Sequence, residues 1–161
     1  MAPAAPRSSV RPRRGTLPAV AITTASEPLQ LTREADIVHL KFRGPFVLEH
    51  ARPVHEYLAQ VMDETGRCYL LADMSQMDGI PTDTRRYVGD WHKQHTVSGV
   101  AVYGASFATR ALATLMFQAV RIVGNQHIEM EFFRDEADAR RWIVDHAAKR
   151  VGATGGRHVV R

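Results

Sequence analysis

Ser106 sits in the setting that most suggests chemistry. The run Gly104–Ala105–Ser106–Phe107–Ala108 follows an apolar, strand-like stretch and opens a helix-like one. That is the context of a nucleophile elbow, where a sharp turn tolerates only small residues beside the serine. Ala108 stands where the elbow carries its second glycine. Asp135 or Asp138, followed by His146 or His158, supplies later triad members in chain order. The simpler reading is a helix N-cap, in which the Ser106 hydroxyl accepts a first-turn amide. A second set of polar residues, Asp73, Ser75, Asp78 and Gly79, follows another apolar run. Ligands of open α/β sheets bind at the carboxyl ends of strands, at a topological switch point. Asp73, Ser75 and Ser106 therefore form a candidate ligand crevice, although Asp and Ser are equally ordinary turn residues.

Other residue sets point to less. His92 and His95 lie three apart on a helix, with His50 and His55 on another. Zinc needs three or four ligands, and no His-Glu-x-x-His or carboxylate spacing completes a set. Histidines near a helix C-terminus are expected to be solvated or capping. Cys68 is the single cysteine, so neither a disulfide framework nor a cysteine-based zinc site is expected. No glycine-rich phosphate loop is present. No cofactor and no metal are expected.

These residues need elements to position them. Residues 29–32 are a short strand candidate. In 36–43, Val38, Leu40 and Phe42 alternate with Ile37, His39 and Lys41, giving a strand with one apolar face. The polar residues between form a tight turn, and Gly44–Pro45 ends the second strand. Val47, Ala51, Val54, Leu58, Val61 and Met62 recur at helical spacing. Pro53 belongs in a first turn, which places the helix start near 50–52, and Gly66 is a C-cap. The run 69–72 predicts a strand buried on both faces. Residues 73–80 are expected as a loop, and Pro81 suits the start of a helix that ends near His95. Residues 99–103 form a second buried strand. The helix after Ser106 is apolar nearly all round, which predicts self-association or partner docking. Gly124–Asn125 ends it. Ile128, Met130 and Phe132 alternate with glutamates as an edge strand, and Asp135 caps a last helix that packs Ala139, Trp142, Ile143 and His146.

The order β-β-α-β-α-β-α-β-α predicts an α/β fold: a mixed, mostly parallel five-stranded sheet with helices on its faces. Of 161 residues, residues 28–148 form the predicted domain. Residues 1–27 and 149–161 are expected as basic, disordered tails. They carry net charges of +3 and +4, while the domain has thirteen basic residues against sixteen acidic. A nucleic-acid groove should lie on the folded part, so nucleic-acid binding is disfavoured. Pro3, Pro6, Pro12 and Pro18 break the amphipathic helix of a transit peptide, and no apolar run approaches a membrane span. A cytoplasmic location is expected.

The hairpin, the strand end Leu71–Ala72–Asp73–Met74–Ser75, the strand Val100–Ala101–Val102–Tyr103–Gly104 and the ending with Glu136–Ala137 and Trp142–Ile143 appear in this order. Together they resemble the SpoIIAA-like, STAS/SEC14-type domains of bacteria over roughly 29–147. The resemblance implies a non-enzymatic regulatory domain that binds a protein partner or, in some branches, a small or lipid-like ligand. It also implies a phosphorylatable serine after an aspartate where the helix after this strand begins. Counted from Asp73, that position falls near Thr82, preceded here by Pro81, so the Asp-Ser pair is absent. Ser75, Asp78, Thr82, Thr84, Arg85 and Arg86 then form the expected phosphorylation or partner loop. A phosphate there would meet free helix amides and two arginines. Three functions are thus expected: a regulatory protein-interaction domain, a carrier of a small apolar ligand, and a minor serine hydrolase built on Ser106.

Overall fold

The computed structural model describes residues 28–124 and 128–154. The expected N-terminal tail, Asn125 and His158 lie outside them. Strands β1 (Leu29–Glu34) and β2 (Ile37–Gly44) form the opening hairpin. Its turn is only Ala35 and Asp36, because Arg33 and Glu34 pair with Val38 and Ile37. Helix α1 (Leu48–Thr65), β3 (Tyr69–Met77), α2 (Thr82–His92), β4 (Gly99–Tyr103), α3 (Phe107–Gly124), β5 (Met130–Phe133) and α4 (Glu136–Thr154) follow. The order and the mixed five-stranded sheet are those the sequence predicts.

The sheet runs β1-β2-β3-β4-β5, antiparallel in the hairpin and parallel from β2 onward. Each crossover steps one strand in the same direction. Right-handed crossovers that never reverse put their helices on one face. Accordingly, α1, α2 and α3 cover Val38, Leu40, Ala72, Val100 and Val102. Helix α4 leaves β5 at the end of this series and covers the other face, packing Ala139 and Ile143 on Tyr69, Leu71 and Ala101. The strand order never reverses, so this sheet has no switch point at which a crevice would open.

Several boundaries differ from expectation. α1 begins at Leu48 and holds Pro53 in its second turn. The amide that Pro53 lacks would serve the carbonyl of Glu49, an exposed residue where water can take its place. Gly66 caps the helix in the left-handed conformation at φ 75°, its amide donating to the Met62 carbonyl, as the sequence predicts. β3 continues through residues expected as loop, because β2 extends beside it: Arg43 faces Gln76, and Gly44 faces Met77. Helix α2 stops at His92 rather than near His95. Helix α4 runs to Thr154, past the expected domain end at 148, and Arg150 donates to the Ser98 carbonyl.

Candidate functional site

Helices α2 and α3 lie side by side over the sheet and leave a groove of about 480 Å³ between them. Its floor is apolar: Leu112, Leu115, Met116, Ala119 and Val120 of α3. Its α2 wall is basic, with Arg85, Arg86 and Lys93 beside Gly89 and Asp90. Lys93 pairs with Asp90 at 2.6 Å, so the arginines supply the wall's net charge. α3 itself carries Arg110 and Arg121 and no acidic residue. The sequence shows why α3 is exposed here. Its apolar residues circle the helix, but one sheet can bury only one side. Ala113 and Val120 face inward, whereas Phe107 and Ile122 remain 88% and 83% exposed.

The loop leading into α2 is tied down by main-chain bonds, from Asp78 N–H to the Gly44 carbonyl (2.9 Å) and from Phe46 N–H to the Gly79 carbonyl (2.9 Å). The side chain of Thr82 is exposed at the helix start, and its Oγ1 accepts a bond from the Arg85 guanidinium at 2.8 Å. Thr84 is fully buried. Thr84, Val88 and His92 are spaced by four and form the inward stripe of α2. This corrects the expectation that Thr84 is an accessible phosphate acceptor. Arg86 is exposed. Thr82, Arg85 and Arg86 therefore meet on the groove, while Ser75 and Asp73 lie elsewhere.

Asp73, Ser75 and Ser106 do not share one crevice. Ser75 N–H and Oγ–H both donate to Asp73 Oδ1, at 3.0 and 2.7 Å, in a cleft on the α4 side of the sheet. Ser106 leads into α3 on the opposite side. Gly104 makes this turn at φ +70°, and a Cβ there would fall 2.9 Å from Ser75 Cβ, so a larger residue is excluded. Ser106 caps α3: its Oγ accepts the Thr109 amide at 3.2 Å and donates to Thr109 Oγ1 at 2.9 Å. The other expected hydrolase residues are used elsewhere. Asp135 caps α4 through the Asp138 amide, Asp138 pairs with Arg141, and His146 bonds Glu129 at 2.7 Å.

Two histidine arrangements escaped sequence reasoning. Beneath the three helices, an apolar cavity of about 60 Å³ is lined by Leu40, Phe42, Val102, Phe117 and neighbours, with His55 and His92 among them. His92 was expected to be solvated but is 3% exposed, and its Nδ1 has no hydrogen-bond partner. Burial, reinforced by the neighbouring His55, drives the His92 pKa down to about 3. His55 is lowered by burial too, and its Nδ1 bonds the Ala51 carbonyl. His95 stacks on Trp91 and caps its carbonyl. The four-residue stripe of α2 was the available signal for His92. Among the described residues no cluster suits a metal ion.

On the other face, Tyr103 Oη donates to Glu136 Oε2 at 3.1 Å and bonds His39 Nε2 at 2.8 Å. His39 Nε2 is therefore the donor, and its Nδ1 accepts from Arg140 at 3.4 Å. Burial lowers the His39 pKa and raises that of Tyr103. The Arg140 hydrogen bond takes Glu136 down to about 2. These bonds fasten the start of α4 to β2 and β4.

Among the described residues, no helix is long and apolar enough to cross a membrane. No curated protein matches the chain. Among solved structures, the chain is similar to an uncharacterised DUF3478-family protein with a SpoIIAA-like fold from Shewanella loihica PV-4. The two share 19% identity with a TM-score of 0.51, covering 71% of this chain and 90% of that one. The anti-sigma factor antagonist SpoIIAA in its unphosphorylated form aligns at 8% identity and a TM-score of 0.49, over 71% of this chain and 96% of that one. The sequence pattern of the SpoIIAA-like family matches residues 37–144. With the strand order and the two-sided helix layers, this match shows that the chain belongs to the SpoIIAA-like family.

Proposed function

We propose that this protein is a non-enzymatic regulatory module of the cytoplasm that docks a protein partner in the groove between α2 and α3. The observation that carries this reading is the pairing of an apolar floor with a basic wall. Apolar grooves of this kind take the apolar face of an amphipathic helix. Arg85 and Arg86 select acidic residues on that helix. Self-pairing through the same face would bring Arg110, Arg121 and the α2 arginines of two copies together, so a different, acidic partner fits better. Thr82 gives the groove a switch. A phosphate on its exposed hydroxyl adds about −1.5 to −2 charges, pairs with Arg85 and repels an acidic partner. The test is a photocrosslinking residue at position 115 in the native host. The expected product is a crosslinked protein with an acidic amphipathic segment, lost with Arg85→Glu and Arg86→Glu. Crosslinks to phospholipid alone, or none, would overturn the reading.

A second reading, a carrier of a small apolar ligand, is favoured by the apolar cavity beneath the helices and the unpartnered His92 Nδ1. A neutral imidazole in an apolar wall offers a single polar contact to orient an apolar guest. A cavity of about 60 Å³ admits only a few heavy atoms, so a longer chain would require α2 and α3 to part. Native mass spectrometry of protein from host extract tests this: a bound small-molecule mass lost with His92→Leu supports it, and an unliganded mass refutes it.

A further inference from the structure

We propose that the end of the sheet face beyond α4 holds a separate polar site that takes a small oxyanion of the phosphate class. α4 packs on β3, β4 and β5 and reaches β1 and β2 through Glu136 and Arg140, at Glu34, His39 and Lys41, while the start of β1 and the end of β2 lie past these contacts. There a cleft of about 150 Å³ opens between the start of β1 and the end of β3. Its floor consists of cross-strand neighbours. Gln30 faces Lys41, Lys41 faces Asp73, and Arg43 faces Gln76.

A β-bulge shapes this floor. Between Lys41 and Arg43, β2 advances two residues while β3 advances three. The extra residue breaks the alternation, so Met74 and Met77 both reach the apolar core while Ser75 and Gln76 both line the cleft. An unbroken strand would have sent one of each pair to the wrong side.

The donors outnumber the acceptors. Arg43 is exposed; its amide donates to the Pro28 carbonyl, while its guanidinium makes no hydrogen bond or ion pair within the described residues. The Lys41 ammonium lies 3.5 Å from Glu136 Oε2 at the rim of the α4 network and keeps two-fifths of its side-chain surface exposed. Asp73, the one carboxylate of the cleft, has Oδ1 occupied by both Ser75 donors. With Lys41 shared with Glu136 and Asp73 held by Ser75, Arg43 is the cation of the cleft that has no side-chain partner among the described residues. An arginine fork beside a lysine is the arrangement that holds a tetrahedral oxyanion in two-point contact. The volume is several times that of a water molecule, enough for a phosphate group with a few waters. The site lies on the opposite side of the sheet from the α2–α3 groove and does not depend on that reading.

The test is a titration of the full chain with inorganic phosphate, followed by ³¹P NMR line width, at an ionic strength held constant with chloride. The expected result is saturable broadening with wild type. Arg43→Gln and Lys41→Gln should each weaken binding about ten-fold, the loss of one charge-assisted bond. Arg141→Gln removes an equal charge on α4 outside the cleft and should bind as wild type does. Circular dichroism confirms that the variants fold. Vesicles containing phosphatidic acid separate the sources: competition with phosphate assigns the site to a lipid headgroup, and its absence assigns it to a free anion. Linear, unsaturated broadening with wild type, or equal affinity in Arg43→Gln, would overturn the proposal.

Discussion

Replacing His92 with leucine tests the interior of the molecule most sharply. Leucine has a similar volume and no polar atom, so the cavity wall stays filled. In the wild type, Nδ1 is buried without a partner, a condition that costs about 1–3 kcal/mol. His92→Leu is therefore expected to be neutral or to stabilise the fold at pH 7 by up to that amount. The pH dependence is the stronger signature. Burial lowers the His92 pKa to about 3 in the folded chain, against about 6.5 in the unfolded chain. Below pH 6.5 the unfolded state binds the extra proton, so stability rises with pH and falls as the solution is acidified. For this one group, the loss between pH 7 and pH 5 is about 2 kcal/mol. His39 and His55 are lowered by burial too and act in the same direction, so the difference between wild type and His92→Leu isolates His92. Urea denaturation at pH 7, 6 and 5 measures it. The two stability curves should draw together toward neutral pH and separate in acid, with the variant the more stable. Parallel curves would show that the imidazole is protonated equally in both states, and the argument from burial would fail.

Ser106→Ala should cost about 1 kcal/mol while Ser106→Asp stays close to wild type, and a fluorophosphonate probe should leave the wild type unlabelled; labelling that depends on Ser106 would restore the nucleophile. Tyr103→Phe removes the group joining His39 to Glu136 and should cost about 1–3 kcal/mol by urea denaturation; an unchanged midpoint would mean the network does not fasten α4. Leu115→Glu lies on an exposed floor position, so it should change stability by less than about 0.5 kcal/mol while abolishing partner recovery; a large drop in Tm would show that α3 packs more tightly than its exposure indicates.

The element order, both buried strands and the family were legible in the sequence, because each rests on local patterns. Alternation in 37–42, three- and four-residue spacing in 51–61 and a glycine at 66 report on neighbouring residues alone. The limits of β3 were not legible, since a strand's length is set by the partner it finds, and β2 lies some thirty residues earlier. The cap at Ser106 could be read as a local device, and Thr109 completes it three residues on. The spacing of Thr84, Val88 and His92 was present too, but polar residues on an inward stripe give no sign of their depth until the sheet beneath them is placed.

The sequence by itself determined that this is an α/β domain with an apolar helix too broad for one core face and a basic segment before it. Helical periodicity and charge are properties of the chain, independent of how it packs. Tertiary structure alone decided which residues became neighbours. The uninterrupted strand order set α2 beside α3 and joined the Arg85–Arg86 wall to the Leu112–Leu115 floor. The same order sent α4 to the far face, so that Asp73 and Ser75 parted from Ser106. A single added residue in β3 then turned Ser75 and Gln76 toward Arg43. Such juxtapositions arise from crossover direction and strand register, which link residues distant in the chain, and no local pattern encodes them.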